Sequence, residues 1–93
     1  MKLEAVNQCF DEAEANGGTF VAVKIAMQGF PKPELIINLR ENFPAKRKYY
    51  NSTYNEDGVL KSFNGIHIVS AEYGSSELIV NAVENIKFEG VEE

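Results

Sequence analysis

Apolar positions recur along this chain with two alternating periods. Leu3, Val6, Phe10 and Ala13 are spaced by three and four, which places them on one face of a helix. Cys9 sits beside that stripe, and Asp11, Glu12 and Glu14 face outward. Asn16-Gly17-Gly18 stops the helix, because glycine takes the left-handed cap conformation at little cost. From Thr19 to Gln28 the period becomes two. Val21, Val23, Ile25 and Met27 alternate with Ala22, Lys24, Ala26 and Gln28, the pattern of a strand. Gly29-Phe30-Pro31-Lys32-Pro33 must be a loop, since two prolines cannot pair in a sheet interior. Glu34 to Asn38, carrying Leu35, Ile36 and Ile37, is the returning strand, so Phe30 is expected at a hairpin tip.

The helical period returns after Asn42-Phe43-Pro44. With Pro44 at the first helical position, a helix is expected to run to about Tyr54. Phe43, Arg47, Tyr50 and Tyr54 form its stripe, with Ala45 and Tyr49 on the flanks. Asn55-Glu56-Asp57-Gly58 ends it. Val59 to Phe63 has two readings. It is a short strand if Asn64-Gly65 makes a two-residue hairpin turn with Ile66 to Glu72. Otherwise the helix resumes at Val59 and the strand is Ile66 to Tyr73 alone. Gly74-Ser75-Ser76-Glu77 reads as a turn and helix cap. Leu78, Ile79, Ala82, Val83 and Ile86 then recur at helical spacing, giving a helix from Ser76 to about Phe88, although Leu78-Ile79-Val80 also suits a strand. Residues 90–93 read as a frayed acidic tail. The sum is one α+β domain over residues 1–93. Its antiparallel-rich sheet has three to four strands, with about three helices, in the order α-β-β-α-β(β)-α.

Composition narrows the chemistry. Ninety-three residues with 44% apolar content make a single globular domain whose margin of stability is thin. One cysteine, Cys9, excludes an intrachain disulfide, and one histidine, His67, gives no zinc set. Oligomerisation is the remaining way for so small a domain to gain stability, so a homo-oligomer is expected. The net charge of −5 argues against nucleic acid as a partner and against anionic membranes. No stretch reaches the roughly 18 apolar residues of a membrane span. The first residues carry no signal-peptide pattern. A cytoplasmic location is therefore expected.

No catalytic set is visible. A general base needs a cleft and an orienting partner, and His67, alternating away from Ile66 and Ile68, has neither in sequence reach. Cys9 beside an apolar stripe reads as a buried structural thiol. The carboxylates form no calcium-loop pattern. Neither an enzyme nor a cofactor or metal site is expected. Two surface clusters remain. Arg40, Lys46, Arg47 and Lys48 lie close to Tyr49, Tyr50 and Tyr54, the residue types that phosphate contact and base stacking require. On a helix, however, Lys46, Arg47 and Lys48 point about 100° apart and fan out, and Tyr50 and Tyr54 suit packing on the sheet with their hydroxyls at its rim. The second cluster is Phe30 between glycine and prolines, a stiff apolar contact suited to a partner's pocket.

Gly29-Phe30-Pro31-Lys32-Pro33-Glu34-Leu35-Ile36-Ile37-Asn38, then Glu41-Asn42-Phe43, Lys48-Tyr49-Tyr50 and Tyr54-Asn55-Glu56-Asp57 resemble small uncharacterised accessory proteins of phages and prophages of Gram-positive bacteria. The resemblance covers the central half of the chain and carries no catalytic motif. It implies a protein acting inside the host bacterial cell by binding and disabling host machinery, antiviral defences included. The leading expectation is a non-enzymatic protein that occupies a host protein. The alternative is an oligomeric sponge for a nucleotide-like signal, with the four cations on its phosphates and a tyrosine on its base. A minor structural or assembly protein is a further reading.

Overall fold

A computed structural model describes residues 1–75. They form α1 (Leu3–Ala15), β1 (Phe20–Met27), β2 (Glu34–Leu39), a single 3-10 turn (Arg40–Asn42), α2 (Phe43–Thr53) and β3 (Ile66–Gly74). The expected helix from Ser76 to Phe88 and the acidic tail lie outside the described residues. What is described is a small α+β fold, a three-stranded antiparallel sheet in the order β2-β1-β3 with two helices.

The sequence periods account for the layers. In α1 the buried residues are Val6, Cys9, Phe10 and Ala13, the anticipated stripe. Gly17, at φ +72, and a hydrogen bond of 2.7 Å from the Gly18 amide to the Ala13 carbonyl close the helix in a Schellman-type cap. In β1 the odd-numbered residues Val21, Val23 and Ile25 are buried against the helices. The even-numbered Phe20, Ala22 and Lys24 point to the opposite face. Their partners across the ladder, Leu39, Ile37 and Leu35, point the same way. The core between sheet and helices is aromatic at its centre. The Phe10 ring meets Phe43 edge-on at 5.1 Å, with Tyr50 at 6.1 Å, and Tyr54 and Ile68 complete the cluster.

Three expectations change. Val59–Phe63 is not a fourth strand. Only isolated bridges form, Tyr54 to Leu60 and Val59 to His67, and the chain turns at Lys61-Ser62. Backbone hydrogen bonds from Leu60 to Ile66, Lys61 to Thr53 and Ile68 to Gly58 hold this segment as a compact loop. The Asn64-Gly65 turn therefore joins a loop to β3 rather than two strands. β3 itself is longer than the alternation suggests, because the register shifts between Lys24 and Ile25. Lys24 pairs with Ser70 but Ile25 with Ile68, which leaves Val69 as the extra residue of a bulge. The bulge reverses the phase, so Ile66 and Ile68 share the helix face with Ala71 and Tyr73. Finally, α2 begins at Phe43, after the 3-10 turn, so Pro44 is its second residue.

Candidate partner-binding surface

The β1–β2 connection projects beyond the last ladder pair, Ile25 with Glu34. Its first turn is closed by a hydrogen bond of 3.0 Å from the Phe30 amide to the Met27 carbonyl. Gly29 in its third position has φ +91, the value that makes a type II turn and favours glycine there. Phe30 comes next, 64% exposed, with Pro31, Lys32 and Pro33 exposed behind it. A second turn lies alongside, since the Gln28 amide donates to the Gly65 carbonyl at 2.8 Å. A Cβ added at Gly65 would lie 2.7 Å from the Phe63 ring. Phe63, 48% exposed, thus stands in the turn bonded to the Phe30 hairpin. Two phenylalanines project at one end of the sheet on loops pinned by backbone hydrogen bonds. Sequence reasoning anticipated Phe30 and missed Phe63, because the strand reading of Val59–Phe63 absorbed it into a ladder.

The cationic cluster is dispersed. Arg40 folds back onto the end of α1. Its Nη1 donates to the carbonyls of Gly18 at 2.7 Å and Ala13 at 3.2 Å, and its Nη2 to Glu14 at 3.1 Å. Ala13 and Glu14 lie in the last turn of α1 and Gly18 in the turn that follows it, and a cation suits that end of the helix dipole. Arg47 bridges the helices, 2.7 Å from Asp11 and 2.8 Å from Glu14. Partial burial works against its charge. The hydrogen-bonded carboxylates of Asp11 and Glu14 overcome that and raise its pKa above the ordinary arginine value. Lys46 rests over the Tyr49 ring at 5.6 Å, while Lys48 is exposed. The hollow beside Arg47, about 410 Å³, is lined by Asp11, Glu14, Pro44 and Arg47. Two carboxylates face one guanidinium there, which leaves no positive field for a phosphate.

The three tyrosines separate as well. Tyr50 is buried and its hydroxyl exchanges hydrogen bonds with the Asn38 amide group at 3.2 and 3.4 Å. It lies inside the core rather than at the sheet's rim. Burial raises its pKa, partly offset by the Asn38 hydrogen bond. Tyr54 is also buried, and desolvation followed by its tyrosine neighbours pushes it up to about 12. Tyr49 is exposed and packs edge-on against Tyr50 at 5.3 Å. Of the residues singled out in the sequence, Lys48 and Tyr49 are exposed on α2, Lys46 lies half-buried over the Tyr49 ring and Phe30 stands at the hairpin tip, whereas Arg40, Arg47, Tyr50 and Tyr54 are engaged within the fold.

Cys9 is buried, and its thiol is pushed up to about 11 by desolvation and then by the charges of Glu12 and Glu72. That is the opposite of what activates a nucleophilic thiol. His67 is exposed on the sheet face opposite Ile68. Among the described residues, no three of His, Cys, Asp and Glu are grouped to hold a metal ion, and no helix is long and apolar enough to cross a membrane. The chain matches no protein-family model, curated protein or solved structure with which it was compared.

Proposed function

We propose that this protein is a non-enzymatic binding protein of phage type that occupies a host protein, and that it does so through the paired tips bearing Phe30 and Phe63. The observation that carries this reading is the exposure of two large aromatic rings on neighbouring turns held by backbone hydrogen bonds. An apolar anchor on a pre-organised loop loses little conformational entropy on binding, which is the economy of an interface hot spot. Lys32 and Lys61, both exposed, flank the two rings in sequence, so a pocket with an acidic rim suits the tip. The nucleotide reading is less favoured, because Arg40 and Arg47 are already paired within the fold.

The test is retention of a partner from a lysate of a Gram-positive bacterium, followed by reconstitution with that partner in purified form. Wild-type protein is expected to retain it, and the double variant Phe30→Ser, Phe63→Ser to lose it while staying folded. Equal retention by the variant would remove the tip from the proposal. A rise in melting temperature with a nucleotide, in the absence of any retained protein, would favour the sponge instead.

A further inference from the structure

We propose that Asn64 is a site of spontaneous covalent modification, deamidation through a cyclic imide with Gly65, and that the fold selects it over the other Asn-Gly pair of the chain. This inference is independent of the partner reading. Asparagine precedes glycine at Asn16-Gly17 and at Asn64-Gly65. In such a pair the glycine backbone nitrogen gives its proton to solvent base and attacks the side-chain carbonyl carbon of the asparagine. A C–N bond forms, the side-chain amide leaves as ammonia and a cyclic imide closes. Water then opens the ring. Opening at the side-chain carbonyl gives aspartate. Opening at the main-chain carbonyl gives isoaspartate, in which the backbone runs through the side chain. Water is consumed, ammonia is released and nothing is oxidised or reduced. Glycine favours the attack because it has no Cβ to hinder the nitrogen and its backbone turns freely.

The two pairs differ in what holds them. Asn16 caps α1. Its backbone N–H donates to the Glu12 carbonyl at 2.9 Å and its Nδ2 to the Tyr73 hydroxyl at 3.0 Å. Gly18, just beyond Gly17, donates to the Ala13 carbonyl at 2.7 Å and accepts from Arg40 at 2.7 Å. Closing an imide at Asn16 requires its side chain to leave Tyr73 and the helix cap to open. Asn64 is exposed, and among the described residues neither its side chain nor the Gly65 N–H makes a hydrogen bond. The attacking nitrogen and the carbonyl it attacks therefore have no bond to break first. The turn around them is loosely held. The amides of Phe63 and Ile66 reach the carbonyls of Leu60 and Phe63 at 3.3 Å, longer than the usual N–H···O distance of about 2.9–3.0 Å. Such turns open locally at little cost. Packing keeps glycine at position 65, since a Cβ there would lie 2.5 Å from Gln28 Oε1 and 2.7 Å from the Phe63 ring. The product acts on the same turn. Isoaspartate inserts a methylene into the backbone between Phe63 and Gly65, whose carbonyl accepts from the Gln28 amide at 2.8 Å. That bond ties the Phe63 turn to the Phe30 hairpin, and the longer link loosens it.

The test incubates the full chain at mildly alkaline pH, with and without urea, and maps the products by peptide mass spectrometry. Cleavage after Lys2, Lys24 and Lys61 puts the two pairs in separate peptides, and an unincubated sample corrects for conversion during digestion. In the folded chain Asn64 is expected to convert at least about fivefold faster than Asn16, the factor that one net hydrogen bond sets. The two rates should converge in urea. Asn64→Gln, whose longer side chain closes the ring far more slowly, should remove the fast product. The purified isoaspartate form should exchange its Gln28 amide faster than the unmodified chain. Equal rates at Asn16 and Asn64 in the folded chain would overturn the proposal. So would a preference for Asn64 that persists in urea, because sequence rather than fold would then select it. Unchanged exchange at Gln28 would overturn the effect on the turn.

Discussion

Asn38 is the one buried polar side chain among the described residues, and it sits on the core side of β2. A buried amide costs stability unless its bonds are made. Here it donates to the Val21 carbonyl at 3.1 Å and pairs with the Tyr50 hydroxyl. Tyr50→Phe removes both hydrogen bonds between the hydroxyl and Asn38 and leaves the ring packing, so a loss of about 1–2 kcal/mol is expected in urea denaturation. Asn38→Val strands the Tyr50 hydroxyl in the core and is expected to cost more, about 1–3 kcal/mol. The same burial sets the pH response. Cys9 is raised from 9.0 to about 11, and Tyr54 from 10.0 to about 12. Both groups are neutral when protonated and hold their protons more tightly in the folded state. Their contribution to stability, with that of Tyr50, is therefore level up to about pH 9 and is lost as pH rises, first as Cys9 and then as the two tyrosines ionise in the unfolded chain. Urea midpoints measured from pH 7 to 12 should show this, and Tyr54→Phe should flatten the upper part of the fall.

Arg40 and Arg47 both reach α1, and they do different amounts for it. Arg40 donates to the carbonyls of Ala13 and Glu14 in the last turn of the helix and of Gly18 just beyond it. Hydrogen bonds from a charged donor contribute more than neutral ones. Arg40→Ala is expected to cost about 1–2 kcal/mol and to fray the last turn of α1, visible as faster amide exchange there. Arg47 pairs with Asp11 and Glu14, which are largely exposed. Exposed pairs contribute at most about 1 kcal/mol and weaken with salt. Arg47→Ala should therefore destabilise less than Arg40→Ala, and the loss should shrink further at high ionic strength. Asn7 and Asn51 add a reciprocal amide pair between the same two helices, at 2.9 and 2.7 Å.

At the scale of the whole molecule, the helix-covered face of the sheet is separate from the apolar end bearing Phe30 and Phe63, which is the surface assigned to the proposed partner. Phe30→Ser lies at a well-exposed loop position, so its effect on folding stability is expected within about 0.5 kcal/mol, measured by thermal melting. Its effect on partner retention is expected to be large, because the anchor itself is removed. Coincident loss of stability and of binding would instead assign Phe30 to the core.

Local pattern determined most of the elements. The three-and-four spacing of Leu3, Val6, Phe10 and Ala13, the alternation from Val21 to Met27 and the glycine and proline breaks each encode a structure over a few residues, and α1, β1, β2 and α2 appear within a residue or two of expectation. Cys9 is buried because it flanks the apolar helical stripe, and Phe30 is exposed because the glycine and proline break places it in the hairpin loop. Tertiary structure decided what depends on residues distant in the chain. The bulge at Val69 comes from pairing with β1, and no alternation within β3 encodes it. Val59–Phe63 forms bridges and a loop because its partners are the end of α2 and the start of β3. Arg40 and Arg47 read as a phosphate cluster beside the tyrosines. Their charges were instead met by carbonyls and carboxylates of α1, more than twenty residues earlier in the chain, and that pairing is made only when the helices meet.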